Sequence, residues 1–314
     1  MAITDGCIDN RLEVDPDQIG ISYSGGGPLL PIELGIARAF VNKKIYPEVI
    51  TGVSAGAIAA AAHALDIYNG TGIDRVVEHL GTVTNAWLHL DALDFGREAV
   101  IRREHLPSIG DNAGIGEMLM AVLDECYHIN DISFGAFGSP LTPAAKSSPK
   151  LFICATDLVG QKPYWFGDSE PLRTALIASS AIPGVFPWVE YDGPNGTIFL
   201  VDGGVARNQP LTNLAEQGCG RIYACSVGGT PIQTAPSNLI DNFFRAINLT
   251  MHQCMRLEEE GLRPRICPQG KVIHIHPETT IPLPDFNFTP DLVRRVVDEA
   301  RQLTEDWLDK DPQS

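Results

Sequence analysis

The sequence predicts an α/β fold built on a mainly parallel sheet. Two observations carry that expectation. Strand-length apolar runs alternate with helix-periodic runs from Ile19 to Tyr68, and further strand-like runs return from Leu151 onward. Apolar residues make up 44% of the 314, enough for a large core and too many for a disordered chain.

Each element has its own signal. Ile19 to Tyr23 is a short buried strand that runs into Gly25, Gly26 and Gly27. Pro28 to Lys43 is a helix, with Leu30, Leu34, Ala37 and Val41 along one side. Pro47 to Thr51 is the second strand and Ser54 to Tyr68 the second helix. From Gly70 to Lys150 the pattern loosens: helical pieces such as Ile115 to Cys126 sit between glycine-rich turns, and Gly138 to Lys150 is a Pro-, Ser- and Ala-rich loop. We take residues 70–150 as a cap over the sheet, within a single domain covering 1–314. Leu151 to Thr156, Ile198 to Val201, Ile222 to Val227 and Val272 to His276 are strands. The tail is a helix over about 289–309, with Thr289 as N-cap and Pro290 at its first position. Leu292, Val293, Val296, Val297, Ala300 and Leu303 form its apolar face.

Composition narrows the partners. Basic residues number 23 against 39 acidic ones, a net charge of -16. Such a surface repels nucleic acid and strongly anionic membranes at low salt, so no nucleic-acid partner is expected. The stretch Met1 to Asp17 has several acids and no long apolar run, unlike a secretory signal. Val53 to Leu65 is Ala-rich and too short to span a bilayer. Seven cysteines, with no CxxC pair, fit reduced and mostly buried thiols in a cytoplasmic protein rather than a zinc ribbon. No cofactor or metal is expected.

Gly52-Val53-Ser54-Ala55-Gly56 has the G-x-S-x-G spacing. A nucleophilic serine needs a tight strand-to-helix turn, and crowded backbones at that turn exclude side chains two positions away on either side. The helix start places N–H groups and positive dipole beside the serine, which favours developing negative charge. Ala57 and Ala59 to Ala62 let that helix lie close to a sheet. An ordinary Gly/Ser turn has the same composition, so the motif alone is only suggestive.

Gly25-Gly26-Gly27 lies between the first strand and the first helix. Consecutive glycines can turn several N–H groups toward one point, making a phosphate cradle or an oxyanion hole. No Gly-Lys-Ser/Thr follows, so it is not a Walker loop. A dinucleotide fingerprint is half matched: Gly25 and Gly27 fit, Leu30 replaces the third glycine, and Glu48 sits near the ribose-acid position. A simple tight turn is the bland alternative. The serine turn at the end of the next strand favours the oxyanion reading.

A serine also needs a proton acceptor. His63 shares a helix with Ser54 but lies roughly 13 Å away along it, on the opposite side. His274 and His276 lie in a Val/Ile strand and could serve a Ser, Asp, His order. Asp202, in Asp202-Gly203-Gly204, ends the run Ile198 to Val201, so its carboxylate should reach the sheet's carboxyl edge. Burial in a dry pocket would raise its pKa and suit it to take a proton from serine; a plain Asp-Gly turn is the alternative.

The ordered set of motifs from Ile19 to His276 resembles the patatin-like phospholipase family. Gly25 to Gly27 resembles its oxyanion loop, Gly52 to Gly56 its serine motif, and Ala155-Thr156-Asp157-Leu158 with Gly160 and Phe166 its strand-and-hairpin segment. Ala178-Ser179-Ser180-Ala181-Ile182-Pro183 with Phe186-Pro187 resembles the block before the aspartate, and Asp202-Gly203-Gly204 with Asn208 and Pro210 the aspartate motif. The resemblance implies a three-layer α/β/α sandwich and a Ser54–Asp202 dyad without catalytic histidine. It also implies calcium-independent hydrolysis of acyl esters, with acyl lipids as substrates. Peripheral membrane contact is compatible with it. One departure stands out: Leu29 and Leu30 replace the family's basic residue and glycine, which bears on catalytic power and phospholipid preference. The expected chemistry is attack by Ser54, proton transfer to Asp202 and oxyanion binding by the amides of Gly25, Gly26 and Gly27, with help from Ala55. Asp157 and Asn208 are expected to order loops rather than to react. A non-catalytic acyl-binding module and an acyltransferase on the same serine are the competing readings.

Overall fold

The computed structural model describes residues 11–70, 72–87, 149–166, 170–183, 186–193, 196–228, 235, 239–282 and 289–310. The chain runs β1 (Asp15–Tyr23), a 3-10 turn (Gly27–Leu29), α1 (Leu30–Asn42), β2 (Val49–Gly52), α2 (Ala55–Asn69) and α3 (Gly72–Trp87). It continues through β3 (Lys150–Asp157), β4 (Lys162–Trp165), α4 (Leu172–Ser179), β5 (Val189–Gly193) and β6 (Gly196–Asp202). A 3-10 turn (Gly203–Val205), α5 (Leu211–Glu216), β7 (Cys219–Cys225), α6 (Leu239–Ile266), β8 (Lys271–Ile275) and α7 (Pro290–Leu308) complete it.

All eight strands join one sheet in the order β5-β6-β3-β2-β1-β7-β8, with β4 also paired to β3. Neighbours from β3 to β8 along that order are parallel, whereas β4 and β6 are antiparallel to β3. Alternate side chains of each strand face opposite layers. Ile21, Tyr23 and Tyr223 enter a core shared with α1, α2, α3, α4 and α7. On the other face, Ile222 and Ala224 meet Leu211 and Leu214 of α5 and Leu262 and Ile266 of α6. Helices thus cover both faces, giving the three-layer α/β/α sandwich expected. Burying one Val or Leu side chain contributes about 1.5–3 kcal/mol, so the fully buried Val293, Val296 and Val297 alone hold α7 firmly on the main core.

Three features depart from the sequence reading. First, α3, placed with the cap, packs on α1, α2 and α7 as part of a helical layer. The other cap segments, Ile115 to Cys126 and 138–148, lie outside the described residues. Second, α6 is 28 residues long and was not anticipated, because much of its surface is exposed and Pro264 interrupts its last turn. Third, β6 runs against β3, not with it. The terminal helix matches closely: Thr289 Oγ1 accepts the Leu292 N–H at 3.3 Å, capping α7. Among the described residues, no helix is long and apolar enough to cross a membrane.

Candidate active site

The site forms where β1 and β2 end side by side. Tyr23 of β1 pairs with Gly52 of β2, so the glycine loop and the serine turn leave the sheet at one edge. Ser54 follows with φ 56° and ψ −127°, a backbone state that costs a non-glycine residue about 1–3 kcal/mol. Small residues let the backbones close in around it. A Cβ on Gly52 would stand 2.2 Å from the Gly56 carbonyl, and one on Gly25 would stand 3.2 Å from Ser54 Cβ and 2.4 Å from Asn208 Oδ1. The glycine loop therefore lies directly against Ser54.

Asp202 arrives from the opposite direction. β3 has eight residues and outruns the four of β2: Gly52 pairs with Ile153, while Asp202 pairs with Ala155. An antiparallel strand laid along this overhang delivers its last residue back toward the serine turn. The sequence expectation that Asp202 reaches the carboxyl edge holds in position, but through antiparallel pairing to a longer neighbour.

Asp202 is fully buried, and its Oδ1 accepts the Gly204 N–H at 2.7 Å. Burial pushes its pKa up to about 6, against smaller downward pulls from the Ser54 hydroxyl and the Gly204 amide. Oδ2 has no donor at full hydrogen-bond geometry. The Ser54 hydroxyl thus lies near enough to the carboxylate to lower its pKa, without meeting strict hydrogen-bond geometry at Oδ2.

The three loop glycines do not have equal roles. The Gly25 N–H donates to the Asn208 carbonyl at 3.0 Å, so this amide is occupied, unlike the expectation that all three loop amides are open. Gly26 and Gly27 donate to no acceptor among the described residues. Ala55 opens α2, where the first N–H groups have no intrahelical acceptor.

The remaining candidates fall away from the serine. His63 is fully buried in the core, with Nδ1 2.9 Å from Tyr23 Oη and its ring stacked on Phe40. His274 pairs with Glu259 at 3.0 Å, and His276 Nδ1 lies 2.8 Å from the Ser226 carbonyl. Both belong to the β8 end of the sheet, three strand spacings from β2, or roughly 14 Å. Leu30 is buried in the core and Leu29 packs against it, so neither departure from the family pattern leaves an open space. Asp157 Oδ1 accepts the N–H groups of Val159 and Gly160, both at 3.0 Å, ordering the β3–β4 turn as expected. Among the described residues no cluster of three or more His, Cys, Asp or Glu could hold a metal ion. Ser179, whose Oγ meets the Ser54 backbone, had no role in the sequence reading, and Asn208, expected to order a loop, has its carbonyl bonded to the Gly25 N–H. The resemblance marked both as motif positions, but no sequence signal gave their partners.

A family model for patatin-like phospholipase matches residues 21–80 and 146–215. Over these two blocks, a little under half of its length, the chain is similar to the patatin-like phospholipase family. The matched blocks of this patatin-like chain contain the glycine loop, Ser54, Ser179 and Asp202. Lysophospholipase NTE1 of Kluyveromyces lactis is 22% identical over 232 residues, covering 73% of the chain; the chain spans only 14% of that relative's length. Among solved structures, VipD from Legionella pneumophila aligns with a TM-score of 0.47 and 15% identity, over 93% of this chain and 66% of that one. The human GIVD cytosolic phospholipase A2, in complex with methyl gamma-linolenyl fluorophosphonate, aligns with a TM-score of 0.46 and 13% identity, over 93% of this chain and 57% of that one.

Proposed function

We propose that this patatin-like protein is a serine acyl-ester hydrolase acting on acyl lipids through Ser54 and Asp202. One observation carries the proposal: a serine held in a strained turn, with the glycine loop packed against it, presents its hydroxyl to the buried Asp202 carboxyl closely enough to lower that group's pKa, which burial holds near 6. A base with that pKa is ionised at neutral pH and is a better proton acceptor than an ordinary aspartate.

Ser54 Oγ attacks the ester carbonyl carbon while its proton passes to Asp202. The carbonyl oxygen becomes an oxyanion held by the N–H groups of Gly26, Gly27 and Ala55. Collapse breaks the ester C–O bond, and the departing alcohol takes the proton from Asp202. Water then attacks the acyl-enzyme, losing its proton to Asp202, and the acid leaves as Ser54 recovers its hydrogen. The relative named for lysophospholipase activity motivates lysophospholipids as the first natural substrates to try.

Hydrolysis of p-nitrophenyl acyl esters should disappear in both Ser54→Ala and Asp202→Asn, and a fluorophosphonate should label Ser54. In the wild type, kcat/KM should rise with pH through about 6 as Asp202 loses its proton. Activity surviving in either variant would refute the dyad. Lipid binding without labelling would favour a non-catalytic module, and ester products formed with added alcohols would indicate acyl transfer.

A further inference from the structure

Three consecutive residues outside the glycine, serine and aspartate motifs grip both members of the dyad. Ser179, the last residue of α4, is fully buried. Its Oγ accepts the Ser54 N–H at 2.9 Å and donates its own proton to the Cys154 carbonyl at 2.7 Å. Ser180 Oγ donates to the Ser54 carbonyl at 3.3 Å, an oxygen that also receives the Ala57 N–H at 3.0 Å. The Ala181 carbonyl accepts the Asp202 N–H at 2.9 Å. Both main-chain polar groups of Ser54, and the N–H of Asp202, thus end on one tripeptide.

We infer that Ser179 is a positioning residue that sets the geometry of the Ser54–Asp202 pair; the inference rests on reading that pair as the dyad. A non-glycine residue at φ 56° stays there only when its surroundings over-determine it. Released, Ser54 would relax toward an ordinary backbone well and swing its Oγ away from Asp202 and the amides. Ser179 opposes this in a way few side chains could. It must accept from one buried group and donate to another at once, which a hydroxyl does and a methyl does not. Because Ala181 anchors Asp202, the same tripeptide also fixes the distance between the two reacting groups. Cys154 completes the frame, since it precedes Ala155, the partner of Asp202 in β3.

A merely structural serine would lower stability without changing the chemistry of the folded fraction. The experiment therefore compares wild type, Ser179→Ala, Ser180→Ala and a control. The control is Thr304→Val, which removes a buried hydroxyl that donates to the Ala300 carbonyl at 2.7 Å within α7. Melting temperature, p-nitrophenyl ester kinetics and fluorophosphonate labelling rate are measured well below the lowest melting point.

Ser179→Ala should lose about 10- to 100-fold in kcat and in labelling rate, with KM within about twofold of wild type. Ser180→Ala should lose several-fold, because Ala57 still bonds the Ser54 carbonyl. Thr304→Val should melt earlier with kcat unchanged. Wild-type rates in folded Ser179→Ala overturn the inference and leave the dyad standing. A wild type that is never labelled overturns the dyad, and the inference with it. If circular dichroism shows Ser179→Ala to be unfolded, an unchanged labelling rate in Ser180→Ala is the overturning result.

Discussion

Burial of Asp202 raises its pKa from 3.8 to about 6, so the folded chain holds that proton more tightly than the unfolded chain does. Below pH 3.8 both states are protonated and the stabilising difference is fully present. It is lost as pH rises to about 6 and stays lost above. A shift of that size corresponds to about 3 kcal/mol of stability given up at neutral pH to keep a charged carboxylate buried. Asp202→Asn keeps an oxygen for the Gly204 N–H and cannot ionise. In urea unfolding at pH 8 it should be about 1–3 kcal/mol more stable than wild type, and this advantage should vanish near pH 4. A variant less stable than wild type at pH 8 would contradict burial as the cause of the raised pKa. At this scale the sequence exposed side-chain chemistry and hid backbone destinations. Ser54 and Asp202 stand out because their motifs require those functional groups. The fate of the Gly25 N–H was not legible, since its acceptor belongs to Asn208, 183 positions along the chain. Ser179 stood out only as part of the block before the aspartate, and nothing local pointed to Ser54.

Among the elements, α6 braces the Asp202 loop from outside. Met251 Cε would lie 3.1 Å from a Cβ on Gly204, and Met255 Sδ accepts from Asn208 Nδ2 at 3.1 Å. One turn on, Glu258 binds Arg207 at 3.0 Å and accepts the Thr212 N–H at 2.9 Å. Glu258 is 6% exposed and Arg207 34%, so the pair is screened by solvent on one side only. Glu258→Ala should cost about 1–3 kcal/mol in chemical unfolding, because it strands a guanidinium and a main-chain N–H together. It should also lower kcat, as the loop carrying Asp202 loosens. Full stability in that variant would show that α6 rests on its apolar contacts at Leu262 and Ile266 instead. The elements differ in how far the sequence revealed them. The alternation of β1, α1, β2 and α2 was legible because each has a local period and glycine punctuation. Strand direction was not: Ile198 to Val201 is apolar whichever way β6 runs, and its direction is fixed by pairing with the overhang of β3. For α6 the period failed because Glu258, Glu259 and Glu260 face partners rather than a continuous core.

Across the whole molecule, buried titratable groups outside the site act on stability in opposite senses. Glu33 lies in the core with both carboxyl oxygens unpartnered, and desolvation raises its pKa well above the usual carboxylate value. Its proton is held by the folded state and released by the unfolded one, so it stabilises at low pH and that support fades as pH rises. His63 does the reverse. Burial lowers its pKa to about 3, so the unfolded chain gains a proton below pH 6.5 that the folded chain refuses, and stability falls on acidification through that window. The net charge of -16 adds a diffuse repulsion that also eases as carboxylates protonate. Well above pH 6.5 His63 is neutral in both states and the exposed carboxylates are fully charged, which leaves buried acids such as Glu33 to set the slope. A single linked proton changes stability by at most about 1.4 kcal/mol per pH unit. Wild type should therefore lose stability relative to Glu33→Gln as pH rises above the ordinary carboxylate range, so the alkaline slope should be flatter in Glu33→Gln, which has no proton to lose, and its advantage larger at pH 8 than at pH 5. His63→Gln should leave that alkaline slope untouched and change the profile only below pH 6.5. Urea midpoints at half-unit pH steps separate the two effects. An alkaline slope that is identical in wild type and Glu33→Gln would mean that Glu33 is charged inside the core, or that water reaches it.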